Sequence, residues 1–226
     1  MTFRITREEL LLLDHRHLAF GLFWTWIAGM GRYWDDPKAH LLQHLGVGSV
    51  IYIFVLSLML WLVIWPLRPK DWSYRNVLTF VSLTSPPAIL YAIPVERFYN
   101  LETADTLNAW SLAIVAAWRV SLLIFYLGRL GRLSPFPRIV ATLLPLASIV
   151  FTLTVLNLER AVFEIMGGFR ERTPNDDAYV VLILLSLLSY ILAIPILICY
   201  VALIIRAYFA AKKDARSEIG NLGVEG

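Results

Sequence analysis

The chain alternates between long runs that carry almost no charge and short clusters that carry nearly all of it. Five runs, Val47–Leu67, Asn76–Val95, Leu107–Gly128, Ile139–Leu158 and Ala178–Ile205, match or approach the roughly 20 residues an α-helix needs to cross hydrocarbon. A sixth, Leu18–Tyr33, is shorter and needs its flanking aromatics to reach both interfaces, so it reads as a crossing, a re-entrant piece or an interfacial one. The pattern predicts an all-α bundle of about six transmembrane helices. The third is expected to break at Pro86 and Pro87, and the sixth to kink or tilt at Pro195.

Charge decides between five crossings and six. With six, both termini share a side with the loops Arg68–Arg75 and Arg129–Arg138, and that side holds 13 Lys/Arg against 6 opposite. With five the split is 10 against 9. Basic residues gather on the cytoplasmic side of short membrane loops, so the uneven split is the expected one. Six spans with both termini cytoplasmic follow, placed in a bacterial cytoplasmic (inner) membrane. Residues 1–210 read as one membrane domain and 211–226 as a polar cytoplasmic tail. Trp34, Trp65, Trp72 and Trp110 fall at span ends, where amphipathic rings favour the headgroup level.

Composition supports this reading. Hydrophobic residues make up 58% and charged ones 16%, with a mean hydropathy of +0.66; a soluble domain carries about 25% charged residues. The pI near 9.1 does not imply nucleic acid, because the basic residues lie between apolar runs instead of on one soluble face. Cys199 is the single cysteine, which excludes an internal disulfide and a cysteine metal cage. Arg4 and Arg7 could open a leader, but "EELLLLDHRH" puts charge where its apolar core must lie, so no cleavable signal is expected.

The most informative residue is Arg119, near the middle of the fourth run. At 100° per residue, Asn108, Ser111, Val115, Arg119, Leu122 and Tyr126 fall on one face. A charge at that depth needs partners inside the protein, and no Asp or Glu lies within any run. The nearest acids, Glu96, Asp105 and Glu159, are at or beyond the outer ends, with Asp105 about 21 Å away along the helix. The stretch "TSPPAILYAIPVERF", Thr84–Phe98, offers other acceptors. Pro86 and Pro87 have no N–H, so helical spacing leaves the Ser82 and Leu83 carbonyls without donors. Arg119 at matching depth can reach them, with the Ser82, Thr84 and Ser85 hydroxyls completing a polar knot. Such a knot either fixes two helices or keeps a donor free for an anion.

Three further features bear on function. Gly21, Thr25 and Gly29 form a small-residue seam that admits a close helix. Asp36, His40 and His44 recur every four residues in a short outer helix opened by Asp36 and Pro37 and closed by Gly46; they are weak metal candidates, and a helix lying on the bilayer is the plainer reading. "LYAIP" (Leu90–Pro94) and "ILAIP" (Ile191–Pro195) sit in oppositely directed runs, as an inverted repeat would have them. There is no H-E-x-x-H, no P-loop and no G-x-S-x-G, and no cofactor is expected.

The function expected is a non-enzymatic membrane component that binds lipid, or a protein partner through the outer loops or the Gly21/Thr25/Gly29 face. A small transporter or channel for an anionic or polar solute, with Arg119 in the path, is the alternative.

Overall fold

The computed structural model describes residues 4–31, 41–155 and 177–222. The described residues are helical with no strand: α1 Arg7–Leu11, α2 His15–Gly31, α3 Leu41–His44, α4 Val47–Ile64, α5 Tyr74–Leu83, α6 Leu101–Arg129, α7 Pro135–Val155 and α8 Asp177–Leu222. Short 3-10 segments cover Trp65–Leu67, Pro86–Ala92 and Val95–Arg97. Four stretches, Val47–Leu67, Thr106–Arg129, Pro135–Val155 and Ser186–Lys213, are long and apolar enough to cross a membrane. Asp36 and His40 lie outside the described residues.

Local chemistry fixes the helix starts. Thr6 and Glu9 form a reciprocal capping box on α1. The Asp14 carboxylate accepts the Arg16 and His17 N–H groups at the head of α2, at 3.0 and 3.3 Å. Ser73 accepts the Asn76 N–H to open α5, and Asn100 accepts that of Thr103 to open α6. Gly46, at φ +64°, turns the chain into α4; a Cβ there would lie 2.7 Å from the Trp26 carbonyl oxygen. Trp26 closes the same corner by donating Nε1–H to the Leu45 carbonyl at 2.8 Å.

The other end of the bundle is gathered by four contacts. Arg7 pairs with Asp71. The Lys70 N–H donates to the Gly131 carbonyl at 3.1 Å, tying the α4–α5 loop to the α6–α7 loop. Trp72 Nε1 donates to the Trp61 carbonyl at 3.2 Å. Tyr200 of α8 donates its hydroxyl to the Val63 carbonyl at 2.6 Å. The N-terminal helix, both basic loops and this part of α8 therefore lie together. Between the ends, Ile53, Ile64, Val77, Leu122, Tyr126 and Ala141 belong to one buried hydrophobic core. The outward residues are apolar as well: Ile51, Val55 and Leu62 on α4, and Leu184, Ile191 and Ile198 on α8. So wide an apolar exterior suits lipid and would drive association in water.

The third apolar run is divided, α5 being followed by a 3-10 segment, because two adjacent prolines end the i→i+4 ladder. The last helix extends beyond the apolar run Ala178–Ile205 and continues to Leu222. The small-residue seam is used inside the chain. A Cβ on Gly21 would meet the Ser82 carbonyl carbon at 2.7 Å, and one on Gly29 would meet the Ser49 Cβ at 2.7 Å. Thr25, between them, is buried and returns its hydroxyl to the Gly21 carbonyl at 2.8 Å. The seam thus seats α5 at one point and α4 at another.

Candidate functional site

The polar site is built where α5 gives way to its 3-10 continuation. The Thr84 N–H reaches back to the Phe80 and Val81 carbonyls, both at 3.2 Å. The turn then tightens: the Ser85 N–H donates to the Ser82 carbonyl at 3.1 Å, and the Ala88 N–H to the Ser85 carbonyl at 2.8 Å. In an i→i+3 ladder, the carbonyls that would have used the Pro86 and Pro87 nitrogens are those of Leu83 and Thr84. The expectation that Ser82 and Leu83 would be orphaned assumed α-helical spacing. The 3-10 turn moves the gap one residue along and gives Ser82 a donor.

Arg119 of α6 reaches into that gap. Its Nε donates to the Thr84 carbonyl at 3.4 Å, while the side chain stays half-buried. On the same face Val115, Leu122 and Tyr126 are each about 1% exposed, so the α6 stripe points inward from Val115 to Tyr126. α5 and α6 run antiparallel, and Phe80 stacks on Tyr126 two turns below Arg119, with centroids 4.0 Å apart and planes 15° apart. Trp72 packs on the same tyrosine at 5.9 Å.

The hydroxyls divide. Ser82 turns its Oγ to the Thr79 carbonyl at 2.9 Å and Thr84 to the Val81 carbonyl at 2.7 Å, so both satisfy their own helix. Ser85 does not: it is 1% exposed and its Oγ has no partner among the described residues. The Tyr126 hydroxyl is buried and likewise unpaired. Pro86 and Pro87 are half-buried and shape the backbone without adding a polar group. Asn108 and Ser111 are half-buried too, but sit about 16 Å and 12 Å from Arg119 along α6, so they belong to another level. Asn108 has an interaction of its own there.

Of the three metal candidates, His44 alone is among the described residues. His44 lies half-buried at the end of α3, and Asp36 and His40 are outside the described residues. Among the described residues, no three His, Cys, Asp or Glu side chains come together as a metal site. The two A-I-P pieces also differ: Leu90–Pro94 leaves a 3-10 segment through an extended Ile93, whereas Ile191–Pro195 lies inside α8.

Sequence reasoning missed the Asp14–His17 pair, although an Asp followed three residues later by His at a helix start is a visible signal. Their side chains meet at 2.8 Å, and this hydrogen bond holds the Asp14 carboxyl at about 2, below its ordinary 3.8. It also missed the Arg7–Asp71 pair, since nothing local links residues 64 apart. Comparison of the chain with known protein families, curated proteins and solved structures finds no match in any of the three.

Proposed function

We propose that the chain is a non-enzymatic component of a bacterial cytoplasmic membrane that binds a lipid or a protein partner, through a bundle of six crossings. Four crossings are the long apolar helices. The fifth is α2, whose 17 residues rise about 25 Å. The sixth is Tyr74–Ala92, where the steeper 3-10 rise of about 2.0 Å per residue lets α5 and its continuation reach roughly 30 Å. Both termini then face the cytoplasm with the basic loops, and Pro195 is where α8 bends to follow its neighbours.

One observation carries the binding role: a guanidinium at mid-depth holds a broken backbone by one long hydrogen bond, beside a buried hydroxyl with none. A site meant only to join two helices would use its donors up. Transport asks for more, a wet path to both surfaces, and the repeat that suggested it does not have matching backbone in its two copies.

Two measurements on the full chain test this. Mass spectrometry of the intact purified protein should show a retained lipid, or cross-linking in membranes a discrete partner; neither being found would refute the proposal. Reconstituted vesicles should show no saturable flux of chloride, phosphate or organic anions. Flux that disappears in Arg119→Ala would replace the binding role with transport.

A further inference from the structure

Building on the partner-binding reading above, we infer that Arg119 and Ser85 form a binding site for an oxyanion, a carboxylate or phosphate group, carried by an amphiphile or free in solution. A guanidinium has five donors in a planar fork. Among the described residues, the hydrogen bonds of Arg119 involve Nε alone, and its partner is a neutral carbonyl. Arg119 lies about 20 Å from Thr106 and 15 Å from Arg129 along α6, so its charge sits near the middle of the hydrocarbon. The nearest acid on that helix, Asp105, is about 21 Å away. A charge so placed needs a counter-charge, and the site's own helices do not bring one.

Ser85 is the second and independent indication. It is 1% exposed, its Oγ is unpaired among the described residues, and it follows directly on the Thr84 carbonyl that Arg119 holds. Buried hydroxyls in native proteins have partners, so an unpaired one beside an under-used cation marks a place for an acceptor. An oxyanion satisfies both at once. Two oxygens of a carboxylate or phosphate match the guanidinium fork, and one can also accept from the serine hydroxyl. A neutral ligand would leave the charge uncompensated, and a cation would repel it. The buried, unpaired Tyr126 hydroxyl lies on the same α6 face, about 10 Å toward the basic end, which keeps the α5–α6 seam polar beyond the arginine.

The test uses the full chain in a neutral detergent, with sodium oleate, dioleoyl phosphatidate and sodium phosphate as probes and dioleoylglycerol, which has no oxyanion, as control. At least one anionic probe should raise the thermal midpoint saturably, and the neutral lipid should not. A response to oleate or phosphatidate alone identifies an amphiphile; an equal response to phosphate identifies a free anion. Arg119→Gln should weaken the affinity about tenfold or more, and Arg119→Lys less, because the charge remains and the fork is lost. Ser85→Ala should weaken it roughly three- to tenfold while the ligand-free midpoint stays level or rises, since the variant removes an unpaired buried hydroxyl. Arg129→Gln, at the exposed end of α6, should respond as the parent does. No shift with any anion, an unchanged response in Arg119→Gln, or a Ser85→Ala variant that loses stability but not affinity would each overturn the inference. Ser85→Ala keeps the test decisive should Arg119→Gln not fold. A lipid or partner retained equally in Arg119→Gln would sink this site and leave the binding role standing. Arg119-dependent flux would do the reverse.

Discussion

Gly21 and Gly48 show how differently two glycines in membrane helices can stand. A side chain at Gly21 would run into the Ser82 backbone, whereas a Cβ at Gly48 would meet nothing within 4 Å. Gly21→Ala should therefore destabilise the purified protein by about 1–3 kcal/mol, and Gly48→Ala should stabilise it by roughly 0.5–1 kcal/mol through helix propensity. Unfolding both variants in mixed micelles gives the two signs directly, and a harmless Gly21→Ala would mean that α2 and α5 do not pack closely. Asp14 gives a second residue-scale prediction, of pH dependence. Its folded carboxyl is held at about 2 against an ordinary 3.8 by the hydrogen bond with His17. Its contribution is therefore fully present above about pH 4 and lost as pH falls through 3.8 toward 2. The thermal midpoint should drop across that window, and Asp14→Asn should flatten the drop. The sequence marked Gly21 as a packing residue but could not say that Ser82 fills its groove, because small-residue spacing identifies a face and not the helix that uses it.

At the scale of elements, the register of the Pro86–Pro87 break is the decisive feature. Its existence was legible, since adjacent prolines cannot continue an α-helix. So was the α6 face that meets it, from the spacing of Val115, Arg119, Leu122 and Tyr126. The carbonyl that Arg119 holds was not legible. It depends on whether the chain leaves α5 by α or 3-10 hydrogen bonding, and neighbouring α2 and α6 set that choice together with local sequence. The 3-10 register has a testable result. Pro87→Ala restores an N–H placed to donate to the Thr84 carbonyl, the same acceptor that Arg119 uses. Arg119→Gln should then cost about 1 kcal/mol less in the Pro87→Ala background than in the parent. A double-mutant cycle measures that difference, and strict additivity would mean that the two donors do not compete. Pro86→Ala should show no such coupling, since in this register its nitrogen answers to Leu83.

For the whole molecule, the membrane class was plain from uncharged runs, and four of the long helices stand close to where those runs lie. Length alone did not settle the other two segments, because α2 is short and α5 stops after ten residues. In the proposed arrangement of six crossings, α1, both basic loops and the Tyr200 region, which the structure gathers at one end, all lie on the cytoplasmic side. Reporter fusions after Gly226 and between Asn175 and Asp177 should therefore fall on opposite sides of the membrane, the first cytoplasmic. Two fusions on the same side would rule out six crossings. The gathered end should also be insensitive to loss of its ion pair. Arg7 and Asp71 are each about a third exposed, so Arg7→Gln should cost under about 1 kcal/mol.

That same end contains Arg68 at φ +52° and Arg132 at φ +52°, in the left-handed region that glycine enters freely and other residues enter at a cost of roughly 1 kcal/mol. Folding alone would favour glycine at both positions. Under the proposed orientation arginine is favoured, because these two loops carry part of the basic charge that would hold their side of the protein in the cytoplasm. Replacing both with glycine should therefore pull two properties apart. The molecules that insert correctly would be as stable as the parent or more so, while a larger share would insert upside down.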